Sequence, residues 1–201
     1  MVQKKQIKSI IFDLGGVITY GGYLDFVKHY VHPALVPYGK QKILELEHQV
    51  NLGNITETEF YREIEKVFNV HLNPAQMHKI ITDKMRVNKQ LIHLIPTLKK
   101  AKVAIFSNSI GNMAKEVLKE KKVPTKKLFS KLFMSNKMHL AKPNKAGYEF
   151  VLKHLKVKPH EALMVDDRTE NIRAAKKLGI QGIVFRNVRQ FQREMKRFEL
   201  V

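Results

Sequence analysis

Uninterrupted apolar runs punctuate the chain at 7–12, 103–106, 162–165 and 180–185, and a shorter mixed run lies at 131–134. They are rich in β-branched and aromatic residues, the composition of strands buried on both faces. Between the later runs the period changes. Ala114, Val117 and Leu118 fall on one helical face. So do Tyr148, Val151, Leu152 and Leu155, and then Ile172, Ala175 and Leu178, with Gly179 placed to stop the last helix. Strands alternating with helices predict an α/β fold with a mostly parallel sheet covered on both faces.

The stretch from about 20 to 90 reads differently. Helical spacing recurs over 24–30, 41–50, 57–68 and 74–85, and no strand run interrupts it. Thr56 and Glu59 match a capping box, and Asn73-Pro74 is a helix cap followed by proline in the first turn. The expected organisation is therefore a core segment 1–19, an all-helical insertion 20–90 and the rest of the core at 91–201, with hinges near Gly21-Gly22 and Val87-Asn88.

Composition is that of an ordinary globular protein: 201 residues, 44% hydrophobic and 27% charged. The absence of cysteine excludes disulfides, thiolate metal sites and a cysteine nucleophile. Lys4, Lys5 and Lys8 precede the apolar run 10–18 in loose imitation of a signal peptide, but Asp13 interrupts it. No run reaches the length of a membrane span, and a cytoplasmic protein with no membrane partner is expected. Charge changes the picture more. Lys and Arg number 37 against 18 Asp and Glu, a net charge of +19. Residues 1–98 carry 12 basic and 9 acidic groups, and residues 99–201 carry 25 and 9. Basic clusters at Lys115, Lys119, Lys122, Lys126 and Lys127, and at Arg186, Arg189, Arg193, Lys196 and Arg197, raise the question of a nucleic-acid partner. No nucleic-acid motif and no aromatic interleaving accompanies them, so solvated faces are the preferred reading.

In parallel α/β sheets, chemistry collects at the carboxyl ends of strands. Those ends read Asp13 in FDLGGVIT, Ser107-Asn108 in IFSNS, and Asp166-Asp167 in MVDDRTEN, with Lys142-Pro143 just beyond the run at 131–134. Three carboxylates, a hydroxyl and a lysine would meet at one edge. Clustered carboxylates repel unless a cation sits among them, and oxygen ligands with open positions suit Mg²⁺. A carboxylate beside a lysine and a hydroxyl can attack an electrophilic phosphorus or carbon.

In their order and separation, FDLGGV, FSNS, KPN and VDDRTENIRAAKKLG resemble the four motifs of the haloacid dehalogenase-like (HAD) hydrolases. The resemblance covers nearly the whole chain. It implies a Rossmann-like core with an inserted helical cap of the C1 type. It further implies Asp13 as the nucleophile forming an aspartyl-phosphate, Ser107 and the backbone near Asn108 as binders of the phosphoryl oxygens, and Lys142 as the neutralising cation. Mg²⁺ would be held by Asp13, the carbonyl of Gly15, Asp166 and Asp167, supported by Asn171. The substrate would be a small phosphorylated metabolite such as a sugar phosphate. One departure matters: most family phosphatases carry Asp two residues after the nucleophile, as acid and then base, whereas this chain has Gly15. Losing such help costs roughly 10²–10⁴ in rate, most for poor leaving groups. Thr19, Asp25, His29 and His32 are the expected substitutes, the last three from the cap. The alternatives are a metal-independent 2-haloacid dehalogenase and a catalytically weak phosphate-binding or regulatory protein. Oligomeric state is left open.

Overall fold

The computed structural model describes residues 6–98 and 100–200, without the side chains of Leu24 and Tyr38. Lys4 and Lys5 of the signal-like cluster lie outside the described residues. In chain order the elements are β1 (Ser9–Phe12), β2 (Thr19–Gly21), α1 (Tyr23–Tyr30), α2 (Val36–Asn51), α3 (Glu57–Phe68), α4 (Pro74–Lys84), β3 (Met85–Val87) and α5 (Lys89–Leu94). They continue with β4 (Lys102–Ser107), α6 (Met113–Glu120), α7 (Thr125–Leu128), β5 (Lys131–Met134), α8 (Ser135–Met138) and α9 (Lys145–Leu155). β6 (Ala162–Asp166), α10 (Thr169–Lys177), β7 (Gln181–Val184) and α11 (Val188–Lys196) complete the fold.

The five apolar runs form one parallel sheet in the order β5-β4-β1-β6-β7. Its faces alternate as the two-residue strand period requires. Ile10, Phe12, Ile105 and Val165 pack with Leu91, Leu118, Phe191 and Met195 on one side. Ile11, Ala104, Phe106 and Met164 pack with Tyr148, Val151, Ile172 and Ala175 on the other. The fold class expected from the pattern, a parallel sheet between helices, is thus the fold observed. Gly179 stops α10 in the left-handed region, at φ +83°.

The insertion holds a third cluster: Phe26, Ile43, Leu46 and Val50 with Phe60, Tyr61, Ile64, Met77 and Ile81. The predicted capping boxes are present, Thr56 with Glu59 at α3 and Asn73 with Gln76 at α4. Two expectations need correction. The insertion is not purely helical, because β2 and β3 form an antiparallel ribbon at its base, pairing Thr19 with Val87 and Gly21 with Met85. Three residues per strand are too few to show a period, and Met85 continues the helical pattern of α4. The other correction concerns α6, whose apolar residues serve two cores. Ala114 and Leu118 face the sheet, while Met113 and Val117 join the cluster of the insertion. The insertion is thereby packed onto the core rather than tethered beside it.

The basic clusters at 115–127 and 186–197 are exposed. Lys142 is the one buried cation among the described residues. No helix among these residues is long and apolar enough to cross a membrane.

Candidate active site

Register brings the chemistry together. Phe12 pairs with Ile105 on one side and Val165 on the other, so β1, β4 and β6 end at one level. The Asp13 backbone N–H donates to the Val165 carbonyl at 2.8 Å and fixes the first residue beyond β1 beside the end of β6. Asp13, Ser107, Lys142, Asp166 and Asn171 are all buried, which is unusual for such side chains and marks the place.

Lys142 is the hub. Its Nζ lies 2.7 Å from Asp13 Oδ1 and 2.7 Å from Asp166 Oδ2. The Asn108 carboxamide clamps the Lys142 backbone from both sides: its Nδ2 donates to the Lys142 carbonyl at 2.9 Å, and its Oδ1 accepts from the Lys142 N–H at 2.9 Å. The Asn108 side chain is therefore committed to holding the lysine. Ser107 Oγ donates to the Asn108 carbonyl at 3.1 Å. Asp166 is held on every side. Asn171 Nδ2 reaches both of its oxygens at 3.0 Å, the Arg168 N–H donates to Oδ1 at 2.9 Å, and the Tyr148 hydroxyl fixes the Asn171 carbonyl.

Burial pushes the Asp13 carboxyl up to about 6, with Asp166 adding to the effect and Lys142 opposing it. Burial also works against the Lys142 charge, but Asp13 and Asp166 outweigh it and hold the ammonium above its ordinary range. Asp167, which is exposed, is raised by partial burial and by Asp166. Oxygens of Asp13, Asp166 and Asp167 lie within 4.8 Å of one another. Three carboxylates facing one ammonium leave two negative charges uncompensated, and an oxygen-only donor set of that charge suits a hard dication. The glycine pair fits this arrangement. Gly16 has φ +74°, and a Cβ there would lie 2.2 Å from Asp167 Oδ2, so only glycine lets the loop after β1 approach that carboxylate. A Cβ on Gly15 would meet nothing within 4 Å. The position at which the resemblance expects an acidic side chain therefore has room for a Cβ.

The expected substitutes for that carboxylate are engaged elsewhere. Thr19 is buried and donates to the Leu14 carbonyl, Asp25 pairs with Arg86, His29 is exposed and bonds the Asp25 carbonyl, and His32 caps the turn at Ala34. The sequence reading missed Gly16 and Tyr148. A GG pair after a strand is a usable signal for the first; nothing local marks the second.

The protein-family model described as haloacid dehalogenase-like hydrolase matches residues 7–179. A sesquiterpene phosphatase of Aspergillus oryzae is 27% identical over 179 residues, 88% of each chain. A drimenol cyclase of Aspergillus calidoustus is 24% identical over 199 residues, and this chain spans only 36% of its length. Among solved structures, a HAD-family enzyme of Bacteroides thetaiotaomicron has a TM-score of 0.79 at 21% identity, covering 95% of this chain and 99% of its own. A form of that enzyme in complex with magnesium and inorganic phosphate has a TM-score of 0.70 at 22% identity, over 90% and 94%. An L-2-haloacid dehalogenase of Xanthobacter autotrophicus, with chloropropionic acid covalently bound, has a TM-score of 0.69 at 17% identity, over 98% and 85%. At these identities the structural likeness is one of fold.

Proposed function

The chain belongs to the haloacid dehalogenase-like hydrolases, and on that footing we propose that it is a Mg²⁺-dependent phosphomonoester hydrolase acting on a small phosphorylated metabolite. In this reading it is a C1-capped member with the DLGGV form of the first motif, and residues 20–90 are the cap. The supporting observation is the charge of the site: three convergent carboxylates around a single buried lysine, two negative charges in excess. A metal-independent dehalogenase has no need of that excess. The phosphatase and magnesium complex among the relatives favour the same side. The sesquiterpene phosphatase widens the substrate class to apolar-tailed phosphates beside sugar phosphates.

Asp13 attacks the phosphorus and becomes an aspartyl-phosphate while the ester oxygen leaves. Lys142 keeps Asp13 ionised and neutralises the transferring group. Ser107 and the backbone at Asn108 receive the phosphoryl oxygens, and the Asn108 side chain holds Lys142 in place. Water then hydrolyses the acyl phosphate. Asp13, Asp167 and the Gly15 carbonyl would hold the Mg²⁺, with Asp166 beside them and Asn171 fixing Asp166; bound there, the ion supplies further neutralisation of phosphoryl charge. The helical cap excludes water during transfer and selects the substrate.

A panel of metabolite phosphates, run with Mg²⁺ and with EDTA, tests this directly. Hydrolysis that needs Mg²⁺ and is abolished in a folded Asp13→Asn variant is the expected result. Halide release from 2-haloacids in EDTA would instead identify a dehalogenase, and Mg²⁺-dependent phosphate binding without turnover a regulatory protein.

A further inference from the structure

We propose that His78 is a positioning residue: as an imidazolium it ties Glu57 of the cap to Glu116 of the core, and so seats α3 against the loop that carries Ser107 and Asn108. That loop runs from the end of β4 to α6, and α8 holds it from the core side. The Ser109 N–H donates to Ser135 Oγ at 2.9 Å, and Asn136 Nδ2 donates to the Gly111 carbonyl at 2.7 Å. Against the same loop stands Glu57, the first residue of α3. Gly111 lies in the left-handed region, at φ +51°, and a Cβ there would run into the Glu57 carboxylate. The cap therefore meets the loop at Gly111, three residues beyond Asn108, whose side chain clamps Lys142.

His78, on α4, holds Glu57 in that place. Its Nδ1 bonds Glu57 Oε1, and its Nε2 lies 3.1 Å from Glu116 Oε2 on α6. A neutral imidazole carries one N–H and one lone pair, so one of the two carboxylates would face a lone pair. Only the imidazolium turns a hydrogen toward each. The neighbouring groups leave this charge balance alone. Tyr61, one turn along α3 from Glu57, has a buried hydroxyl, and burial followed by Glu57 pushes the phenol above its ordinary range, so it stays neutral. On α6, Glu120 pairs with Lys121, while Lys115 and Lys119 line a groove with Thr125 and Leu132. Lys79 pairs with Asp83 on α4 itself, and Asp25 of α1 pairs with Arg86. One proton on His78 thus fastens the cap to the core at a point in contact with the loop after β4. The same side of the cap is docked by His139 Nδ1, which bonds the Leu52 carbonyl at 2.8 Å.

The kinetic arm of the test rests on the phosphatase reading above; the spectroscopic arm does not. Nitrogen NMR, with the His78 ring assigned by comparison with His78→Gln, should show a hydrogen on both ring nitrogens at the pH of the assay. A ring nitrogen without a hydrogen overturns the proposal. Substrate is bound by the seated cap, so apparent affinity falls with the seated population. With an alkyl phosphate and Mg²⁺, His78→Gln should raise KM about tenfold and keep kcat within about threefold, because Asp13 and Lys142 are untouched. Glu116→Gln, at a half-exposed position where folding is not at stake, should raise KM about threefold. The double variant should be no worse than His78→Gln alone, since both changes cut one tie. Unchanged KM in the single variants, or losses that multiply in the double variant, overturn the positioning role. Wild-type protein that cleaves no phosphate ester removes the phosphatase reading instead, and the tie is then decided by the ring nitrogens and by whether the melting-temperature losses of the two single variants add in the double.

Discussion

Replacing Lys142 by methionine removes the charge at the centre of the site and nearly keeps the volume. The ammonium lies 2.7 Å from one oxygen of Asp13 and 2.7 Å from one of Asp166. At an effective dielectric of about 20, each contact is a gross attraction of about 6 kcal/mol. Much of that offsets desolvation, and removing one partner of a buried pair costs about 3–5 kcal/mol net. For a chain of this length that lowers Tm by about 10 °C at pH 8. The sign of the pH dependence follows from Asp13. Its folded value, about 6, stands above its ordinary 3.8, so its contribution to stability is complete below 3.8 and is lost as pH rises through about 6. Without Lys142 the folded value rises further, because the lysine is the largest influence that lowers it. The deficit of the variant should therefore shrink on going from pH 8 to 5.5, as Asp13 takes up a proton. Mg²⁺ at a hundred times Kd should stabilise either protein by about 2.7 kcal/mol. Thermal melts of both proteins, with EDTA and with Mg²⁺, measure all of this. A metal-free variant melting within about 2 °C of wild type at pH 8, or a deficit that does not narrow in acid, would falsify the view of Lys142 as the counter-charge of two buried carboxylates.

Gly16→Ala should leave the fold intact but weaken Mg²⁺ binding by at least about tenfold in calorimetry, since the new methyl takes the place of the Asp167 carboxylate; unchanged affinity would mean that Asp167 is not a ligand. Mg²⁺ affinity should be level above pH 7 and fall by up to about tenfold per unit below about 6, because the ion must displace the Asp13 proton. Affinity independent of pH between 5 and 7 would show that Asp13 does not meet the metal.

The core and the cluster around Lys142 were legible because strand chemistry is local. A buried parallel strand is a short apolar run, and the residue after it lies at the sheet edge by construction. Asp13 and Asp166 are one residue beyond Phe12 and Val165, which pair with each other, so reading strand ends sufficed to place them together. Asn171, in the first turn of α10, came from the motif resemblance rather than from a strand end. The ribbon of β2 and β3 was not legible. Its six residues carry no period, and they pair across the whole insertion, so only the closed chain reveals them. The split allegiance of α6 fails for a related reason: Val117 and Leu118 look equivalent on one helical face, and the presence of two cores separates them.

The acids of α2 show the limit most clearly. In sequence Glu47 is one of two acids in LELEHQ, flanked by Glu45 on the exposed side of the same helix. What distinguishes it is neither residue type nor spacing but the surface that α2 meets after the chain has closed on itself. The same closure leaves Asp25, His29 and His32, substitutes expected from the sequence, with partners of their own. A general acid has to be poised by burial and aimed by packing, and both are properties of the cap–core contact.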